Sequence, residues 1–225
     1  MTEVRQFFET MVLAVAALLP IVNPLGGAPV YLAKTMGLSE EAHDELSKRV
    51  AVNCFLLLIV STFIGAYMLD FFGISIPAVQ VGGGAVVCAI AWQLLNEPDQ
   101  PQAAKQDAFR ASTPNDLARR AFYPLTMPLT VGPGSISVAI TLGANQPRGI
   151  SLIITSLAHV AGIVIVVLIV FLCYRYAERI LRKLGDVGTA IVTRLTAFIL
   201  LCIGVQIVWN GVAGLVRSLE GIAAT

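Results

Sequence analysis

Two stretches gather the residues of this chain whose types and spacing could bind a solute. One is Leu19-Pro20-Ile21-Val22-Asn23-Pro24-Leu25-Gly26-Gly27-Ala28-Pro29. The other is Pro124-Leu125-Thr126-Met127-Pro128-Leu129-Thr130-Val131-Gly132-Pro133-Gly134. Proline lacks the N–H and clashes with the preceding turn, and glycine is entropically costly in a helix, so both stretches read as breaks. Backbone left open in hydrocarbon is expensive, and such a break survives only where protein or a water-filled cavity covers it. The chemistry on offer is noncovalent. Where helix resumes, at residues 26–28 and 134–136, free N–H groups and the positive dipole end suit a carboxylate. Where it stops, near residues 19–22 and 127–131, free carbonyls suit an ammonium or Na⁺. Asn23, Thr126, Thr130, Ser135 and Ser137 add polar side chains, and Pro24, Gly26, Gly27, Gly132 and Gly134 shape the backbone around them.

Bond-making chemistry finds little support. No H-E-x-x-H, G-x-S-x-G or C-x-x-C is present, and the apolar runs carry no paired acids. Cys54, Cys88, Cys173 and Cys202 lie in or at the end of apolar runs and read as small apolar residues. Three further residues are candidates for coupling or gating. Arg194 is a charge inside a span and a functional candidate by default, although it can also snorkel to the nearer surface. His159 lies mid-span and is either a proton relay or a packing histidine. Gln80 lies in the third span. The sequence leaves Na⁺ and H⁺ coupling open, names no metal ligands and calls for no cofactor. His43, in an acidic stretch, reads as solvated.

These residues must be positioned by membrane helices. Of 225 residues, 56% are hydrophobic and only 13% charged, against roughly 25% charged in soluble domains; the mean hydropathy is +0.80. Uncharged runs cover residues 10–33, 50–69, 71–96, 121–147, 149–174 and 195–216, of 20 to 27 residues each. Each is long enough to span, so six transmembrane segments are expected. The first run is too long, and its charged start too poor, for a cleaved signal peptide. Residues 1–96 and 122–225 then form two three-span halves joined by a linker at 97–121. Ser39 and Ser75 are N-cap candidates, and Gly82-Gly83-Gly84 predicts close helix packing. Tyr67, Trp92, Tyr174 and Trp209 read as belt or packing residues.

The connections 36–49, 97–121 and 175–187, with Lys34, hold eleven Lys and Arg; the opposite side holds Arg5, Arg148 and Arg217. That asymmetry puts the linker in the cytoplasm and both termini on the outer face. With a net charge of +1 and no basic patch interleaved with aromatics, nucleic acid is not an expected partner. The lipid bilayer is; a homo-oligomer is left open.

The halves correspond by pattern. The Pro20/Pro24 break answers the Pro128/Pro133 break, and in the third helices Gln80 lies over Arg194 and Cys88 over Cys202 at one offset. An odd number of spans per half makes the second half upside down, the inverted repeat of several secondary transporters. The expected fold is therefore an all-α membrane protein of six helices, with helices 1 and 4 discontinuous.

Residues 23–29, Phe72-Gly73-Ile74-Ser75-Ile76-Pro77-Ala78 with Gly82-Gly83, and residues 128–136 resemble, together and in order, the MarC/SnatA family. The resemblance covers essentially the whole chain. It implies a bacterial or archaeal inner-membrane protein, and a carrier of glycine, alanine and other small neutral amino acids. It also leads one to expect arginine where Gln80 stands; Arg194 keeps the charge in the other half. The reading is a secondary transporter whose substrate is a small zwitterion, held between the two breaks. Its rivals are an efflux carrier for other small metabolites or drugs, a channel, an intramembrane enzyme and a structural membrane protein.

Overall fold

The computed structural model describes residues 2–35, 37–96, 118–144 and 150–223. The described residues are helical almost throughout: α1 (Thr2–Val22), α2 (Pro24–Thr35), α3 (Glu40–Phe63), α4 (Gly65–Phe71), α5 (Ile76–Asn96), α6 (Ala121–Thr130), α7 (Pro133–Ala144), α8 (Ile150–Arg175) and α9 (Ala177–Ala223). Five helices are long and apolar enough to cross a bilayer, and α6 with α7, bent by 73°, makes a sixth crossing if the pair is one span. Nearly all of the linker, residues 97–117, lies outside the described residues.

The first interruption is far narrower than expected. Only Asn23 leaves the helix, at φ +45°, and the ladder continues around it: Asn23 N–H donates to the Leu19 carbonyl (3.0 Å) and Gly27 N–H to that of Asn23 (2.9 Å). Pro24 occupies the first position of α2, where a missing N–H costs nothing. Pro20 and Pro29 are absorbed within α1 and α2. An unwound stretch over residues 20–29 is thereby corrected to a one-residue kink within a crossing that runs from Glu3 to Leu32.

The second interruption is broader. Tyr123 and Met127 have extended dihedrals inside α6, and the Tyr123-Pro124 and Met127-Pro128 bonds are cis. Pro124 and Pro128 bring no N–H, and two threonine hydroxyls add bonds to carbonyls five residues back. Thr126 Oγ1 donates to the Ala121 carbonyl and Thr130 Oγ1 to that of Leu125, both at 2.7 Å. Val131 N–H returns to the Thr126 carbonyl at 2.8 Å.

Other boundaries also move. α3 begins within the polar connection, capped by Ser39, whose Oγ accepts from Ala42 N–H at 3.2 Å. α9 starts at Ala177, inside the stretch expected as a basic connection, and turns at Gly185, whose φ of +67° favours a residue without Cβ. Ser75 Oγ accepts from Ala78 N–H (3.4 Å) at the start of α5.

In the packing, α5 runs antiparallel to α9, α8 lies against α1 and α3, and α7 lies against α3 and α5; α2 touches α9 and α8, and α6 touches α3. Small residues bring these axes close. A Cβ on Gly84 would sit 2.8 Å from Val208 N and 2.9 Å from the Gly204 carbonyl, and one on Gly143 would strike the Thr62 carbonyl. The main buried cluster runs from Leu18 and Val22 through Val50, Cys54 and Leu58 to Ile163, Val166 and Val170. α5 and α9 keep broad apolar outer faces, including Trp92 and Trp209.

Candidate functional site

The two interrupted crossings meet at one side chain, Tyr174 near the end of α8. Its hydroxyl lies 2.8 Å from Thr130 Oγ1 of α6, and a Cβ on Gly27 of α2 would fall 2.6 Å from it. A threonine hydroxyl has one proton. Since Thr130 gives its proton to the Leu125 carbonyl, Tyr174 is the donor to Thr130. Tyr174 is completely buried, as are Thr126 and Thr130.

On the other flank of the kink, Gly26 faces the Asn23 side chain and Thr196 of α9, whose Oγ1 lies 2.8 Å from the place a Cβ would take. Asn23 Oδ1 accepts from Gly26 N–H at 3.1 Å, which caps α2. The kink thus exposes less backbone than expected, because the asparagine already covers an N–H. The second break behaves likewise: Ser135 Oγ (3.0 Å) and Ile136 N–H (3.1 Å) both use the Gly132 carbonyl. Of the backbone groups expected to be free, the N–H of Gly26, Gly27 and Ile136 and the Leu19 carbonyl are satisfied within the chain, as hydrocarbon surroundings demand.

Asn23, Gly26 and Gly27 therefore gather with Thr130 around Tyr174 and Thr196, and Pro24 is buried beside them at the start of α2. Gly134 does not join them: it packs on Val87 of α5, while Ser137 lies against Gly83. Ser137 Oγ is buried without a hydrogen-bond partner. Gly132 is half-buried beside the Pro128 carbonyl. Gln80 bonds to Thr141 Oγ1 at 3.0 Å, two turns further along α7 than Gly134. His159 is 4% exposed, and its flanking residues Thr155 and Gly162 meet Gln6 and Ala14 of α1; it stands about 22 Å along α8 from Tyr174. Arg194 is exposed, two residues from Thr196 and on another face of α9. The structure does not bring these three together with the kink.

Toward the basic end of the bundle the cluster is sealed in layers. Tyr31, one turn beyond Gly27 and completely buried, stacks on Tyr174 with centroids 4.4 Å apart and planes at 12°. The His43 ring meets Tyr31 edge-on at 5.1 Å, so it is packed and not solvated, and the Tyr31 hydroxyl donates to the His43 carbonyl (3.3 Å). Beyond it, Asp44 Oδ1 pairs with Arg175 Nε at 3.0 Å. A cavity of about 20 Å³ beside the kink, lined by Leu25, Ala28, Pro29 and residues of α9, is all but filled.

Thr196 has no place in the sequence reading, and Tyr174 enters it only as a belt or packing residue. Ile163, Val166, Val170, Tyr174 and Ala177 recur every three to four residues and are all buried. Helical periodicity was the available signal, but α8 is apolar on every side and hides it. Among the described residues no group of three His, Cys, Asp or Glu could hold a metal.

Comparison with known proteins agrees with a membrane location. The model of the MarC family of integral membrane proteins matches residues 8–216. The UPF0056 inner membrane protein MarC of Salmonella paratyphi A is 29% identical over 221 residues, covering 94% of this chain and 97% of the relative. The protein of that name from Escherichia coli O1:K1 is 30% identical over 218 residues, with the same coverage. No solved structure matches the chain. The chain belongs to the MarC family of integral membrane proteins.

Proposed function

We propose that this protein is a secondary carrier of small neutral amino acids in the bacterial inner membrane, alternating access around the Asn23–Gly27 kink and the α6–α7 bend. One observation carries the reading: Tyr174 joins the two interruptions, with its hydroxyl against Gly27 on one side and Thr130 on the other. A few hydroxyls in tight, otherwise apolar surroundings suit a compact zwitterion better than a bulky drug. Where the kink and the bend part, the N–H at Gly26 and the hydroxyls of Thr130 and Ser135 can exchange their internal partners for a carboxylate.

The contact pattern supports two equivalent halves. Exchanging the crossing α1–α2 with α6–α7, α3 with α8, and α5 with α9 maps α1·α8 onto α3·α6, α2·α8 onto α3·α7, and α2·α9 onto α5·α7. The pairs α3·α8 and α5·α9 map onto themselves. Inverted repeats with a site at their interface are the usual scaffold for rocking between two access states. The relatives are named inner membrane proteins, and the Lys and Arg asymmetry puts both termini on the outer face; terminal reporter fusions active only in the cytoplasm would overturn that orientation.

The test is uptake of radiolabelled glycine, alanine and serine into proteoliposomes, with Na⁺ and proton gradients imposed separately. Saturable uptake with counterflow is expected. Flux that rises linearly with concentration would make the protein a channel, and neither uptake nor binding of these solutes would overturn the reading.

A further inference from the structure

We propose that Tyr31 and Tyr174 form the gate that closes this site toward the basic, cytoplasmic end of the bundle, and that the Asp44–Arg175 ion pair is its latch. The inference rests on the reading of Gly27 and Thr130 as part of a solute site, and adds how one side of that site opens.

The order of layers carries it. At the level of the kink, the Tyr174 hydroxyl fills the space between Gly27 and Thr130. One turn nearer the basic end, the two stacked rings leave no exposed surface on either tyrosine. The His43 ring covers Tyr31, and the Asp44–Arg175 pair lies outermost. A solute leaving the site in this direction must displace the phenol rings.

The latch acts on both tyrosines because its residues are their neighbours. His43 and Asp44 are consecutive in the first turns of α3. The His43 carbonyl accepts from Tyr31 of α2, and the Asp44 carboxylate holds Arg175, which follows Tyr174 in α8. The start of α3 therefore ties α2 and α8 together across the mouth. Asp44 Oδ2 also takes Lys48 at 3.1 Å within α3, so both carboxylate oxygens are engaged and the acid is held in place. The side chains of Arg175 and Asp44 are 39% and 26% exposed. A pair so placed is strong enough to bias a mobile contact and weak enough to break in each cycle.

Two native thiols report on the gate without any transport measurement. Cys173 adjoins Tyr174 and is 8% exposed, and Cys54 of α3 is fully buried in the same cluster. In a Cys88→Ala, Cys202→Ala background, maleimide labelling of Cys173 and Cys54 is followed in inside-out membrane vesicles. Slow labelling is expected in the background, rising by about threefold in Asp44→Asn and in Arg175→Gln, as loss of a half-exposed ion pair allows. The swapped pair Asp44→Arg with Arg175→Asp returns labelling to the slow rate. Glu9→Gln, which removes the Arg5–Glu9 pair at the opposite end, leaves it slow. Tyr31→Phe removes only the bond to His43 and raises the rate even if a charge variant fails to fold.

Unchanged labelling in Asp44→Asn, Arg175→Gln and Tyr31→Phe would overturn the gate, as would equal acceleration by Glu9→Gln. Labelling is independent of cargo. Failure of amino-acid uptake with the labelling pattern intact would remove the substrate and keep the gate; the reverse result would remove the gate alone.

Discussion

Thr130 and Tyr174 stand 44 positions apart in the chain and share a buried hydrogen bond of 2.8 Å in which the tyrosine is the donor. The direction follows from Thr130 giving its own proton to the Leu125 carbonyl. That bond holds the threonine against its own segment, and the threonine in turn holds the tyrosine.

Thr130→Val should lower thermal stability more than Tyr174→Phe does. Valine leaves the buried Tyr174 proton without its partner and takes the hydroxyl away from the Leu125 carbonyl, a loss of about 1–3 kcal/mol, reduced toward about 0.6 kcal/mol if membrane helices find other partners. Phenylalanine keeps the stack on Tyr31 and leaves Thr130 bonded to Leu125. Melting midpoints in detergent, with the double variant costing less than the sum of the two, check the shared bond.

Asn23 does two things, and two substitutions separate them. Glycine accepts the φ of +45° but offers no cap to Gly26; alanine loses the cap and is strained in the left-handed region. Stability should fall in the order wild type, Asn23→Gly, Asn23→Ala. The cap is worth about 1 kcal/mol and the backbone strain about 1–2 kcal/mol more. Thermal denaturation of the purified variants gives the order directly.

Gly27→Ala should abolish uptake while the protein still inserts, because the added methyl meets the Tyr174 hydroxyl, which Thr130 holds in place. Gly82→Ala, with nothing within 4 Å, should be silent in both respects. Membrane yield and initial uptake rate, measured side by side, distinguish the two.

Gly143→Ala should act on folding and not on the site. Its methyl would strike the carbonyl of Thr62, a backbone atom that cannot step aside, at the contact between α7 and α3. Loss of monodisperse protein on size exclusion is the expected result, and normal yield would contradict the close approach of these helices.

Much of the architecture was legible because charge partitions the chain so cleanly: each apolar run between charged residues became a helix long enough to cross, or the bent α6–α7 pair. The stops were less legible. Pro20, Pro24 and Pro29 suggested a long unwound stretch, yet the chain continues by placing Pro24 where no donor is needed and Asn23 where its side chain replaces one. Of the triplet Gly82-Gly83-Gly84, which predicts close packing, Gly83 and Gly84 lie against α7 and α9, whereas Gly82 faces open space. At the candidate site, Gly26, Gly27, Asn23 and Thr130 stand out in the sequence by being polar or small in apolar surroundings. Tyr174 did not, since an aromatic beside Arg175 at the end of a span resembles an interfacial anchor, and only the fold shows that its hydroxyl points back toward Gly27. Thr196 was overlooked for a similar reason: in a helix with Arg194 nearby, a single hydroxyl carries no pattern.

The central claim is that the kink at Asn23 and the bend after Thr130 serve one solute, and equilibrium binding of radiolabelled alanine to purified protein tests it most directly. Gly27→Ala on one side and Thr130→Val on the other should each weaken binding by about tenfold or more, while Gly82→Ala leaves it unchanged, since one buried polar contact is worth about 1–3 kcal/mol. Wild-type binding that survives intact in either site variant, with that variant correctly folded, would contradict a site shared between the two crossings.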